Sequence, residues 1–257
     1  MNVLELDPGD CRSPALIAAL LPVAEAFCEH YLHLEVEGLE HIPRTPALFV
    51  GNHSGGITGP DIPCTLSTLW RALGPDYPLY ALAHDFAMRV VTPLGRVVGL
   101  FGAIAATRHN ALRVFDAGGS VLVYPGGDID AYRTFADRDR VHILPRNGYI
   151  DTARAGGVPI VPIVAQGAHR SAYIFSDGRE LAKKLDLKRH LRLERFPLAL
   201  ALPWGLAVGP AMPYLPLPLP IKLRILPPMH FGSHVPAMEA SREVQVAMQQ
   251  AMDELSA

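Results

Sequence analysis

The chain has 257 residues, 49% of them hydrophobic and only 19% charged, with a formal charge of −2. That length can bury a full core. The apolar content excludes disorder as the chain's main character, and the charge balance excludes a globally basic nucleic-acid binder. Cys11, Cys28 and Cys64 stand far apart in the sequence, with no paired framework and no C-x-x-C metal spacing, which points to a reducing cytoplasm.

Ser13 to Tyr31 reads as an apolar helix, with Ser13 as N-cap and Pro14 in the first helical position. Its apolar run, Ala15 to Phe27, holds Pro22 and Glu25 and is too short to span a bilayer; the stretch before it is acidic where a secretory signal would be basic. Short apolar runs follow at Ala47–Val50, Leu79–Ala83, Ala103–Ala106, Ser120–Tyr124, Val158–Val164 and Ile221–Leu226. Most are bounded by Gly, Pro or Asn, which suits buried strands. Helical patterns fall between them at Ile62–Ala72, His84–Val91, Asn110–Ala117 and Ile150–Ala155, and an amphipathic helix closes the chain from Pro236 to Leu255. The alternation predicts an α/β fold: a mostly parallel or mixed sheet flanked by helices, in a single domain spanning 1–257 without repeat or linker.

Between Ile150–Ala155 and the last helix the composition changes. Arg179 to Arg195 holds seven Lys or Arg against three Asp or Glu, about +4, with Leu181, Leu185 and Leu191 at spacings that suit one helical face. Phe196 to Ile221 is uncharged but carries Pro197, Pro203, Pro210, Pro213, Pro216, Pro218 and Pro220, too many for a membrane-spanning helix. It predicts an extended apolar segment packed on protein or resting on a membrane. A basic amphipathic helix ahead of such a run has the pattern of an anchor to an anionic membrane surface, and equally that of a solvated surface helix.

One constellation carries chemistry. The run Ala47–Val50 leads directly into GNHSGGITGPD, residues 51 to 61, a Gly-rich turn at a strand end. Asp61, at the start of the next helix, can fold back to orient one nitrogen of His53, leaving the other to take a proton from a hydroxyl. A turn histidine beside an N-capping aspartate gives the same letters. No G-x-S-x-G elbow, phosphate-binding glycine loop or metal-ligand cluster is present, so no cofactor and no metal are expected.

The pair has company. Asn52-His53 with Asp61, then GAIAATRHNA (102–111) with Arg108, VLVYPGGDIDA (121–131) with Tyr124, Pro125, Gly126 and Gly127, RNGYIDTA (146–153), and GVPIVPIVAQG (157–167) with Pro162 occur in one order over about residues 33 to 230. Together they resemble the glycerolipid acyltransferase superfamily, and within it a bacterial branch akin to the mono- and diacylglycerol acyltransferases. The resemblance implies transfer of a fatty acyl group from acyl-CoA or an acyl-carrier protein to a lipid acceptor, by a peripheral enzyme on the inner face of a membrane. It implies His53 as general base with Asp61 as its partner. Asn52, Gly55, Gly56, Arg108, Tyr124, Pro125, Gly126, Gly127 and Pro162 are implied as substrate contacts, the N–H groups of Gly55 and Gly56 serving as oxyanion donors.

Two departures qualify it. The family places the carboxylate five positions after the histidine, where this chain has Thr58. Phosphatidate-forming members carry a charged Pro-Glu-Gly-x-x-Arg turn, where this chain has Asp128 and Asp130 after its glycines; those carboxylates would repel a phosphate, which favours a neutral acceptor over a lysophospholipid. Arg108 remains to hold a phosphate or to pair with Asp128 or Asp130. A lipid carrier without activity, a hydrolase using the same dyad, and an acyltransferase for another alcohol all fit the same residues.

Overall fold

The computed structural model describes residues 11–56, 59–83, 97–191, 193–209 and 214–257. The first helix, α1 (Pro14–Ala26), begins as its sequence predicts: Ser13 Oγ accepts the Leu16 N–H at 3.3 Å, and Pro14 contributes no N–H to the uncapped first turn. It runs on as a π-helical turn over Phe27–Tyr31.

The strands, in chain order, are β1 (Glu35–Glu37), β2 (Leu48–Gly51), β3 (Leu79–Ala83), β4 (Ala103–Ala105), β5 (Ser120–Val123), β6 (Ile160–Gln166), β7 (Tyr173–Ser176), β8 (Leu198–Ala201), β9 (Gly205–Val208) and β10 (Lys222–Ile225). Among the described residues seven of them form one sheet in the order β1-β10-β6-β2-β5-β3-β4. The five strands from β6 to β4 run parallel; β10 and β1 run the other way. The helices between are α2 (Asp61–Leu73), α3 (Arg108–Asp116), α4 (Gly127–Ala131), α5 (Gly148–Gly156), α6 (Arg179–Lys184), α7 (Leu187–Leu191) and α8 (Ala237–Ser256).

Successive strand residues point to opposite faces, and both faces are covered. Leu48, Val50, Val121, Ile160 and Val164 pack with Val114, Ile150, Val244, Met248 and Met252 from α3, α5 and α8. Phe49, Leu122, Val161 and Ile163 pack on the other side with Ile17, Cys64, Leu69 and Trp70 from α1 and α2. This two-sided burial is why the strands read as continuous apolar runs. Helix α8 also reaches the loop over residues 139–144: Gln245 Oε1 accepts from Ile143 and Leu144, and Gln249 bonds Val141 N–H and Asp139 C=O.

Three expectations change. The basic stretch is not one amphipathic helix but two short ones, α6 and α7, broken at Asp186, whose φ is +48°. The described residues of the uncharged run after it are extended, as expected, but its strands β8 and β9 join β7 in a separate antiparallel sheet. Cys28 and Cys64, remote in sequence, lie with Sγ atoms 3.6 Å apart as buried free thiols, because α1 packs along α2. The expected helix His84–Val91 lies outside the described residues. No helix among the described residues is long and apolar enough to cross a membrane.

Candidate active site

Strand β2 is the central strand of the seven, and its carboxyl end carries the site, where open α/β sheets place ligands. Asn52 extends the strand pairing beyond Gly51. Its side-chain amide copies a peptide group: Oδ1 accepts from Ala165 N–H at 2.8 Å and Nδ2 donates to Ala165 C=O at 3.2 Å. Nδ2 also lies 3.1 Å from Ser54 Oγ. Asn52 is buried and engaged on these groups, so it positions the loop instead of presenting itself to a substrate.

The loop then folds back. His53 Nδ1 and Asp61 Oδ2 are 2.8 Å apart and both side chains are buried. Asp61 Oδ2 also accepts from Ser54 N–H at 3.1 Å. Asp61 is the first residue of α2 and lies at the positive end of the helix dipole. The carboxylate can accept only, so the hydrogen between the pair resides on His53 Nδ1 and leaves Nε2 with its lone pair. Nε2 has no hydrogen-bond partner among the described residues. The fold-back requires Gly59: a Cβ there would collide with the Ser54 carbonyl oxygen and sit 2.6 Å from Asp61 Oδ1. The longer spacing in the sequence is therefore taken up by a glycine at the crossing point. Thr58 lies outside the described residues.

Below the histidine lies a charge pair whose role the sequence did not disclose. Asp130 accepts the His53 backbone N–H at 2.5 Å and the His142 N–H at 3.0 Å, and faces Arg133 Nη1 at 3.2 Å. Arg133 is buried and donates from each of its nitrogens: Nη1 to His53 C=O at 2.6 Å, Nη2 to Ser54 Oγ at 2.8 Å, and Nε to Asp137 C=O at 3.0 Å. Both peptide groups of His53 are thus held by one ion pair. Burial pushes the Asp130 carboxyl up, against the pull of Arg133; since every partner is a donor, it is held as the carboxylate.

The glycine turn is pinned in a similar way. Gly55 and Gly56 have φ of +81° and +85°. The Gly55 N–H donates to His169 Nδ1 at 3.0 Å, and the Gly56 N–H donates to Ala131 C=O at 2.9 Å. Neither is free to serve as the oxyanion donor that the sequence suggested. Because His169 Nδ1 accepts, its proton resides on Nε2, which donates to Arg133 C=O at 2.8 Å. Burial, assisted by Arg133, holds the ring well below the usual histidine range. Tyr214 donates its hydroxyl to Gly55 C=O at 2.5 Å.

The remaining predicted contacts divide. Tyr124 stands against the imidazole, ring centroids 4.9 Å apart, and desolvation keeps its phenol protonated; a Cβ on Gly51 would strike its ring. Pro125 is buried; Gly126 leaves room for the His142 carbonyl and Asp130, and Gly127 for Arg146, which binds Gly126 C=O and pairs with Asp128 at 3.0 Å. Pro162 is buried within β6 opposite Val50, a packing residue of the sheet. Arg108 is exposed at the start of α3, three strands from β2 along the same rim, roughly 14 Å by strand spacing. It does not pair with Asp128 or Asp130, which face Arg146 and Arg133. With their charges compensated, those aspartates no longer argue against a phosphate. The Asp130–Arg133 spacing of three was visible in the sequence as a helix-turn pair; His169 and Tyr214 carried no signal there.

Comparison with known proteins identifies the family and a similar fold. The model of the family described as Acyltransferase matches residues 33–166. Uncharacterized proteins of Mycobacterium tuberculosis and Mycobacterium leprae are 29% and 28% identical over 213 residues, 81% of this chain. The match covers 54% and 53% of those proteins, so the chain spans about half the length of these curated relatives. The fold is similar to that of the 1-acyl-sn-glycerophosphate acyltransferase PlsC from Thermotoga maritima, with a TM-score of 0.54 and 18% identity over 93% of this chain and 82% of that one.

Removing one member of the buried pair leaves the other uncompensated. Arg133→Met is expected to cost about 3–5 kcal/mol in denaturant unfolding. Asp130→Leu combined with Arg133→Met should recover much of that loss through packing. It should not restore the His53 Nδ1–H signature in imidazole NMR, because the histidine backbone stays unheld. The pH dependence has a definite sign. His169, and His142 with it, are depressed in the fold relative to an unfolded value of about 6.5, so the unfolded chain binds protons that the native one refuses. Their stabilisation is complete above pH of about 6.5 and is lost as pH falls through the folded values. Melting temperature should drop on acidification in this window, and His169→Phe should flatten that drop.

Proposed function

The chain belongs to the acyltransferase family, and from that premise we propose that it transfers a fatty acyl group from a thioester donor, acyl-CoA or an acyl-carrier protein, to a hydroxyl of a glycerolipid. One observation carries the reading: His53 and Asp61 form a buried 2.8 Å pair that leaves the outer imidazole nitrogen without a described partner. In the proposed reaction Nε2 takes the acceptor's hydroxyl proton as its oxygen attacks the thioester carbonyl. Asp61 holds the tautomer and stabilises the imidazolium. The tetrahedral intermediate then breaks its C–S bond, and the imidazolium returns its proton to the departing thiolate. No protein nucleophile takes part.

The glycerolipid acceptor draws support from the similar fold of the Thermotoga maritima enzyme, a 1-acyl-sn-glycerophosphate acyltransferase. An acceptor of this kind resides in a bilayer, so we place the enzyme peripherally on an anionic membrane, at its inner face. Radiolabelled acyl-CoA with a panel of lipid alcohols tests the activity: an acylated lipid supports it, and free fatty acid alone reassigns the dyad to hydrolysis.

His53→Ala should reduce transfer by roughly 10²–10⁴-fold, the usual worth of a positioned general base, and Asp61→Asn should be strongly impaired because an amide cannot stabilise the imidazolium. Full transfer by either variant sinks the mechanism. Arg108→Ala decides the acceptor. With a phosphate-bearing acceptor it should raise KM, consistent with loss of a charge-assisted contact worth about 1.5–3 kcal/mol; with a neutral one KM should not move.

A further inference from the structure

The small sheet β7-β8-β9 has its residues sorted the wrong way round for a water-facing sheet. Its inner face is Ile174, Ala199, Ala201 and Ala207, all buried. Its outer face is Tyr173, Phe175, Leu200, Leu206 and Val208, each between 45% and 56% exposed. The register makes the outer residues contiguous: Tyr173 pairs with Leu200, and Leu200 with Leu206. Trp204, 51% exposed, occupies the turn between β8 and β9, beside Leu202 at 46%. Scattered apolar residues need no explanation, but a contiguous row of this kind marks a binding surface.

Two observations identify what it binds. The connection from β7 to β8 is the basic stretch: exposed Lys183, Lys184 and Arg189 leave and re-enter the sheet at its Ser176–Leu198 end. A lipid surface with anionic headgroups matches an apolar face bordered by cations and by an amphipathic Trp and Tyr. The inner face, in turn, lies on the catalytic loop. Ile174 and Ala199 pack with Ala131 and Tyr132; Ala131 C=O holds Gly56 and the adjacent Asp130 holds His53, while Ala172, Ala201 and Ala207 pack with Tyr214, whose hydroxyl holds Gly55.

We propose that the outer face of β7-β8-β9 inserts into the headgroup–acyl boundary of an anionic bilayer and sets the active-site loop over the lipid it draws from. This names the element that makes the membrane contact; its purpose rests on the acyltransferase reading above, but the binding itself does not. The basic stretch steers approach, and the sheet supplies contact that salt does not screen.

The test uses vesicles of phosphatidylcholine, with and without phosphatidylglycerol, and a matched set whose acyl chains are brominated. Trp204 reports, since Trp70 is buried. The expected result is quenching of tryptophan emission by brominated vesicles. Cosedimentation should be weakened several-fold by high salt without being abolished, and reduced more than tenfold in Leu200→Glu with Leu206→Glu. That variant should keep wild-type turnover of short-chain, water-soluble donor and acceptor while losing turnover of vesicle-embedded acceptor. Absence of bromine quenching in the wild type overturns the proposal, as does undiminished cosedimentation of the double variant. So does a wild-type dimer that the double variant dissociates, because a second copy then covers the face. Quenching by a protein that transfers no acyl group from any donor leaves the surface standing and removes the acyltransferase reading; transfer without quenching does the reverse.

Discussion

The site depends on a single guanidinium. Arg133 is sealed from water, and its donors reach His53 C=O, Ser54 Oγ, the backbone of Asp130, Asp137 and Arg138, and the Asp130 carboxylate that itself holds His53 N–H. A Gly-rich loop at a strand end has little to fix it: two residues with positive φ and short side chains leave many conformations open. Here the N–H and carbonyl of His53 and of Gly55, with the N–H groups of Ser54 and Gly56, are each tied to another group of the fold. Low polarity strengthens every link and makes any broken one costly. A pair of this type contributes less to net stability than its Coulomb attraction suggests, because both ions were taken from water. Its effect is to select one loop geometry out of many.

The scaffold was legible because its strands are buried on both sides. Continuous apolar runs bounded by Gly and Pro match the central strands to within two residues or so, and the helix start at Ser13 follows ordinary capping chemistry. The His53–Asp61 pair was legible as well, through a Gly-rich turn at a strand end. What escaped reading was context. Asn52 reads as a ligand contact and is a backbone mimic. Asp128 and Asp130 read as charges that repel a phosphate and are internal counter-ions of Arg146 and Arg133. A linear pattern gives residue types at distances along the chain, whereas those assignments turn on partners up to 113 positions away.

The β7-β8-β9 sheet was missed for another reason. Alternation of apolar with polar residues is the mark of a strand with one wet face. Here large apolar residues alternate with alanine, so hydropathy is nearly flat along β8 and β9 while volume alternates. Side-chain size is the signal in such a strand. Alanine on the inner face also brings the sheet close to Tyr132 and Tyr214, which bulkier residues would displace.

Gly59 has a consequence for how such chains are found. Since the loop closes where the backbone near Ser54 crosses that glycine, the number of residues between histidine and aspartate measures the path of the loop and not the distance between the two side chains. Loop length is thermodynamically cheap to vary, because closure entropy grows only logarithmically. Two proteins can therefore share a dyad to within a bond length while their sequences disagree on its spacing. A search pattern with a fixed interval passes over the longer form; one that allows the interval to float but requires a glycine close before the aspartate retains it.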